Sequence, residues 1–218
     1  VKELEEALLG GRVDVAVHSA KDMTSTDTTG LAVGAYLPRE DPRDALCGAD
    51  EVRPGMRIGT ASVRRRAQLL ALQPDLSVEP IRGNIDTRLR KRDERGLDAV
   101  VLAACGLDRL GLADEIGHRF APDEMLPEAG QGALALQVRA GERELVAGVD
   151  DAETRRRVEA ERAVVAAIGG GCLAPIAAYH DGESLTALVA DPDGRWLERR
   201  TGDDPSALAA ELLALVPA

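Results

Sequence analysis

The chain is 218 residues long, 44% hydrophobic and 30% charged, a globular balance with room for one large domain or two to three small ones. Its net charge of −11 repels polyanions and anionic membranes, and 2% aromatic residues leave few faces for stacking single-stranded nucleic acid. No apolar run is long enough to cross a bilayer. Three widely spaced cysteines make no disulfide framework, which points to a reduced, cytoplasmic setting.

Residues 1–10 read as an amphipathic helix entered in progress, with no initiator Met. The expectation is that an N-terminal segment is missing. Val13 to Val17 is a short β-rich run that delivers His18-Ser19-Ala20-Lys21-Asp22 to the strand's carboxyl end, the edge that faces the ligand crevice in open α/β sheets. A solvated strand-to-loop transition is the competing reading. Gly30 to Leu37 is the next strand. The polar, proline-punctuated stretch Pro38 to Asp44 is a candidate domain boundary.

Arg57 to Ser62 reads as a strand and a tight turn. Ser62 suits the N-cap of a helix that stops before Pro74. Arg64 and Arg65 in the first turn of that helix oppose its dipole, which makes sense if an anion shares the site. A solvated basic face is the alternative. After the strand Leu76 to Ile81, Arg82 falls on a strand-to-helix turn and Arg88 in the first turns of the next helix. Asp98 to Ala103 is again a strand, followed by a short helix over Cys105 to Gly111. This alternation predicts βαβ units and a largely parallel sheet.

From Arg53 to Arg95 there are eleven basic and five acidic residues, a net +6, while the remainder of the chain carries −17. Such an arginine island suits carboxylates or phosphates, which a guanidinium binds through a planar fork of donors. Gln131, between Gly130 and Gly132, is either an amide at a ligand or hinge turn or an ordinary turn residue, and it leads into a strand over Ala133 to Val138. Ala152 to Ile168 is a helix ended by Gly169-Gly170-Gly171, after which comes Cys172. Cys172 sits either on an exposed glycine loop or at the buried start of the strand Cys172 to Tyr179. Further strands over Ser184–Ala190 and Trp196–Arg200 and a helix over Pro205–Leu215 complete a small α+β unit with an antiparallel sheet. No CxxC or HxxxH spacing links Cys47, Cys105, Cys172 and the histidines, so no metal is expected.

Six stretches together resemble the porphobilinogen deaminase (hydroxymethylbilane synthase) family: His18-Ser19-Ala20-Lys21-Asp22; Gly59-Thr60-Ala61-Ser62-Val63-Arg64-Arg65; Arg82 to Leu89; Gly106 to Gly111; Pro127 to Ala133; and Gly169 to Ile176. The resemblance implies an α/β fold of three domains, two like periplasmic binding proteins and a small α+β C-terminal domain. The expected division is 1–37 with 131–150, then 38–130, then 151–218. It implies a monomeric transferase that polymerises porphobilinogen into a linear tetrapyrrole in haem biosynthesis, without nucleic-acid or membrane partners. A dipyrromethane cofactor would be held by a thioether to Cys172, and Asp22 would be the acid–base residue. Arg64, Arg65, Arg82, Arg88 and Arg109 would bind pyrrole acetates and propionates, with Lys21, Ser19, Thr60 and Ser62 also lining the site. Gln131 joins the substrate-binding set from its position between glycines.

The chain departs from the family pattern at Met23-Thr24-Ser25, where a proline-containing turn is usual, at Ala61 in place of a serine, and at Cys105 in place of a small alanine. The family's N-terminal strand and flexible loop have no counterpart before Val1. A non-catalytic carboxylate-binding module of the solute-binding type is the second reading, because fold alone does not decide function.

Overall fold

The computed structural model describes residues 1–24, 28–169 and 175–217. In chain order the elements are α1 (Lys2–Leu9), β1 (Ala16–Ser19), β2 (Leu31–Tyr36), β3 (Asp44–Cys47), β4 (Arg57–Gly59), α2 (Val63–Leu72), β5 (Ser77–Glu79), α3 (Ile85–Glu94), β6 (Ala99–Ala103), α4 (Ala104–Arg109), β7 (Ile116–Arg119), β8 (Leu134–Arg139), α5 (Ala152–Ile168), β9 (Ile176–His180), β10 (Leu185–Ala190), β11 (Leu197–Gly202) and α6 (Pro205–Leu215). They build three sheets.

The first sheet has the order β1-β8-β2, and β8 pairs antiparallel with both neighbours. Its central strand arrives some hundred residues after its edges, so the chain leaves this sheet and returns to it. The first strand lies later than the run Val13 to Val17: Val13 instead packs under α1 with Leu8, Ala16 and Leu31, and Val17 faces solvent. His18 and Ser19 thus belong to the strand itself, and His18 Nε2 meets Gln137 Oε1 at 3.0 Å.

The second sheet has the order β5-β4-β6-β3-β7. β4 runs parallel to β5 and β6, whereas β3 is antiparallel to β6 and β7. The expectation of a largely parallel sheet is therefore corrected. Only the β5-β4-β6 trio, joined through helices, is parallel. β3 and β7 are short runs that the alternation of helices and strands did not reveal. Each of β3 and β6 is buried on both faces. Ala45, Cys47, Val100 and Leu102 pack under α3 and α4, while Leu46, Ala99 and Val101 pack with Ile58, Leu69 and Phe120 on the α2 side.

The third sheet is the expected antiparallel one, β11-β10-β9. One face carries α5 and α6 through Val164, Ala178, Leu185, Ala187, Leu208 and Leu212. The opposite face, with Ala177, Leu188 and Ala190, lies on Ala67 of α2 and Leu126. The sheet thus docks on the second one and is no appendage. Helix α5 spans the expected residues, is capped by Asp151, whose side chain accepts from Thr154 N, and ends on Gly169 at φ +75°. Cys172 lies outside the described residues.

Candidate active site

Beyond β1 the backbone tightens into a 3-10 turn, Ala20–Asp22. Ala20 is fully buried and its N–H donates to Ala133 O at 3.0 Å. Gly130 lies against the turn with φ +76°; a Cβ there would stand 3.0 Å from Ala20 Cβ and 3.2 Å from Lys21 N. The next two side chains differ in their surroundings. Lys21 Nζ donates to Gln131 Oε1 at 3.2 Å. Burial, followed by the charge of Arg65, pushes the Lys21 ammonium below its ordinary pKa, with Glu128, Asp44 and Asp22 opposing. Asp22 is exposed rather than sunk at the end of a buried strand.

The second sheet contributes the turn between β4 and α2. Thr60, itself buried, accepts from Ser62 N at 3.2 Å through Oγ1, and Ser62 Oγ accepts from Arg65 N at 3.4 Å as the cap of α2. Arg64 and Arg65 are buried, so the solvated-face reading fails for them. The anion beside them is one that sequence reading missed: Asp44, fully buried at the start of β3. Asp44 Oδ2 accepts from Arg64 Nη1 at 2.7 Å, and Oδ1 accepts from Arg65 Nε at 2.9 Å and Nη2 at 2.7 Å. Gln131 Nε2 adds a fourth donor to Asp44 at 2.9 Å and reaches Pro42 O at 2.6 Å. Burial by itself would raise the Asp44 carboxyl, but the two guanidiniums outweigh it and hold the group well below the usual carboxylate range. The only sequence signal for Asp44 was a charged residue directly before the apolar run Ala45-Leu46-Cys47.

The two arginines differ in what they have left to offer. Arg65 spends Nε and both terminal nitrogens on protein acceptors, Val101 O included. Arg64 donates from Nη1 to Asp44 and Leu126 O, while its Nε and Nη2 are buried and have no acceptor among the described residues. Unmatched buried donors of this kind are rare and costly, and they call for an acceptor beyond the described residues. Gln131 is fully buried and engaged on both ends of its amide, so it supports Lys21, Arg65 and Asp44 rather than facing a ligand.

Arg88 is half-buried in the first turns of α3, whose cap Asn84 accepts from Thr87 N at 2.9 Å. Its Nε donates to Gly83 O at 2.7 Å. Burial and the charge of Arg65 lower its pKa, and Asp22 opposes them. Lys21, Asp22, Arg65 and Arg88 thus form one electrostatic neighbourhood drawn from two sheets. Arg82 is exposed, and its carbonyl accepts from Lys91 Nζ at 2.9 Å. Arg109, at the end of α4, turns toward the segment between β2 and β3 and donates to Glu40 Oε2 at 2.7 Å. Cys105 is buried near this junction. Burial raises its thiol pKa, with the charges of Lys21 and Arg109 pulling the other way.

Residues 1–147 match the family described as porphobilinogen deaminase, dipyromethane cofactor binding domain, and residues 155–214 match porphobilinogen deaminase, C-terminal domain. The chain belongs to the porphobilinogen deaminase family. Porphobilinogen deaminase of Bacillus subtilis is 45% identical over 232 residues, 99% of this chain and 74% of the relative. That of Chromobacterium violaceum is 45% identical over 224 residues, 97% of this chain and 72% of the relative. Among solved structures, an open TRAP periplasmic solute binding protein from Desulfovibrio salexigens aligns at 9% identity with a TM-score of 0.43, covering 72% of this chain and 59% of that one.

Family membership makes the chain a transferase of tetrapyrrole biosynthesis with a dipyrromethane-binding region. The residues present fit that group. The dipyrromethane cofactor presents carboxylates, and the region of residues 1–147 holds two guanidinium nitrogens of Arg64 that lack an acceptor among the described residues.

Proposed function

We propose that the chain polymerises porphobilinogen into the linear tetrapyrrole hydroxymethylbilane, releasing ammonia at each addition, on a dipyrromethane joined by a thioether to Cys172. When bound, that group supplies the pyrrole to which the first unit is joined. The observation that carries the reading is the meeting of the Lys21-Asp22 turn with the second sheet: Lys21 donates to Gln131, which also accepts from Arg65 and donates to Asp44, the partner of Arg64, while Arg88 lies in the field of Asp22. Arg64 holds a cofactor carboxylate with its spare nitrogens. Lys21, Ser19, Thr60, Ser62 and Arg65 shape that side of the site, Arg65 through its charge. Arg82, Arg88 and Arg109 take the carboxylates of the incoming or growing chain, with Gln131 behind them.

Asp22 is the acid–base residue. An exposed carboxylate beside Arg88 and Lys21 stabilises the cation that loss of ammonia leaves and exchanges protons with the pyrrole nitrogens. The proposed domains are 1–37 with 131–150, then 38–130, then 151–218, in keeping with three sheets of which the first is closed by β8. We place the protein in the cytoplasm as a monomer without nucleic-acid or membrane partners. The net charge of −11 supports this reading, and among the described residues no helix is long and apolar enough to cross a membrane.

The test is the intact mass under denaturing conditions. An active preparation should carry a two-pyrrole increment that Cys172→Ser abolishes. An unmodified mass in an active sample would refute the attachment.

A further inference from the structure

Asp22 has no hydrogen-bond partner among the described residues and is exposed, so the backbone of its turn determines where its carboxylate stands. That turn is held from one side by Ala133 O, which receives the Ala20 N–H, and by the bare backbone of Gly130. From the other side it is held by a residue of the third sheet's helix. Arg162 of α5 donates from Nη2 to Thr24 O at 2.6 Å and from Nη1 to Ala20 O at 3.4 Å. These two carbonyls bracket Lys21, Asp22 and Met23. Among the described residues they are the only acceptors of Arg162, although a half-buried guanidinium ordinarily finds a carboxylate. The neighbouring residue of the helix, Glu161, accepts from Gly130 N at 2.7 Å, so α5 grips both walls of the turn with successive residues.

We propose that Arg162 is a positioning residue for Asp22: its guanidinium fixes the separation of Ala20 O and Thr24 O and so the curvature that aims the carboxylate. The inference rests on Asp22 being the acid–base residue. A planar fork suits the task because its two terminal nitrogens each take one end of the short turn, whereas a lysine brings its donors on a single nitrogen.

A double-mutant cycle on the cofactor-loaded protein tests it, read as single-turnover rate per folded molecule. Arg162→Leu should lower the rate about tenfold, the worth of roughly one charge-assisted hydrogen bond, and leave KM within about twofold. On the Asp22→Asn background the same change should cost less than about twofold, because there is no longer a carboxylate to aim. Arg162→Lys should recover part of the rate, and it carries the cycle if the leucine variant does not fold. In cofactor-free protein, hydrogen exchange of the 18–24 segment should quicken in Arg162→Leu while that of β10 stays unchanged. An equal loss on both backgrounds, or no loss on either, would overturn the positioning role and leave Asp22 in place. A well-folded Asp22→Asn protein with near-normal turnover would remove Asp22 from the reaction, and the role of Arg162 with it.

Discussion

At the scale of single residues, the most consequential group is Asp44, which carries no part of the proposed chemistry. It neutralises two buried guanidiniums and receives an amide N–H besides. Asp44→Asn keeps the shape and strands both arginines without a counter-charge, so it should cost about 3–5 kcal/mol of stability in urea melts. The folded-state pKa of Asp44 is depressed, so its contribution is complete above the unfolded value near about pH 4 and is lost as pH falls below it. The parent should lose stability on acidification through this range more steeply than the variant. Parallel profiles would show that the ion pair is worth little. For Asp22, the expected change is in rate rather than stability. Asp22→Asn should reduce turnover by at least about a hundredfold, and Asp22→Glu should retain some of it. A drop in melting temperature with normal turnover by the folded fraction would make Asp22 structural.

At the scale of elements, the segment leading into β8 is what shapes the turn. Gly130 takes a left-handed φ of +76° and its α-carbon lies against Ala20. Gly130→Ala adds a methyl 3.0 Å from Ala20 Cβ and asks alanine for a conformation that costs it roughly 1–2 kcal/mol. Turnover should fall with stability, since the displaced turn carries Lys21 and Asp22. Gly55→Ala is the matched control, because Gly55 has a like φ of +77° and a Cβ there meets nothing within 4 Å. Should the two alanine variants behave alike in melting and turnover, the packing of Gly130 would be irrelevant to the site. Helix α2 shows the same dependence on context. Its serine cap was readable from sequence, but the basic first turn is tolerated because Asp44 of a neighbouring strand lies beside it.

At the scale of the whole molecule, one buried ion pair ties the three sheets together. Glu161 of α5 is fully buried and accepts from both terminal nitrogens of Arg39, from Gly130 N and from His180 N. Arg39 lies on the crossing between the first two sheets and also donates to Gln131 O at 2.9 Å. Glu161→Gln should therefore destabilise by about 3–5 kcal/mol and loosen the third sheet from the others. Trp196, the single tryptophan, packs in the core of the third sheet and reports on it by fluorescence. Its urea transition should precede the far-UV transition in the variant and coincide with it in the parent. Coincidence in both would mean that the sheets unfold as one unit without Glu161.

The sequence by itself determined the elements whose cause is local. Apolar spacing with the glycine stop after Ile168, and Pro205 at the start of the last helix, placed α5 and α6 on their observed residues, where Asp151 and Asp204 cap them. The motif stretches pointed to the family because each is a contiguous run, which can be matched without knowing what it meets in the fold. Tertiary structure decided everything that depends on residues far apart. The strand order β1-β8-β2 joins segments separated by a hundred residues, and no periodicity encodes which strand fills the middle of a sheet. β3 and β7 escaped notice because runs of four residues carry too little pattern to distinguish strand from loop. Asp44 read as part of a polar crossing, and Glu161 and Arg162 as two charges on a helix. Their partners are Arg64, Arg65, Arg39 and the turn after β1, and only folding brings them within reach. A buried charge is defined by what surrounds it, and that surrounding is assembled from all three sheets.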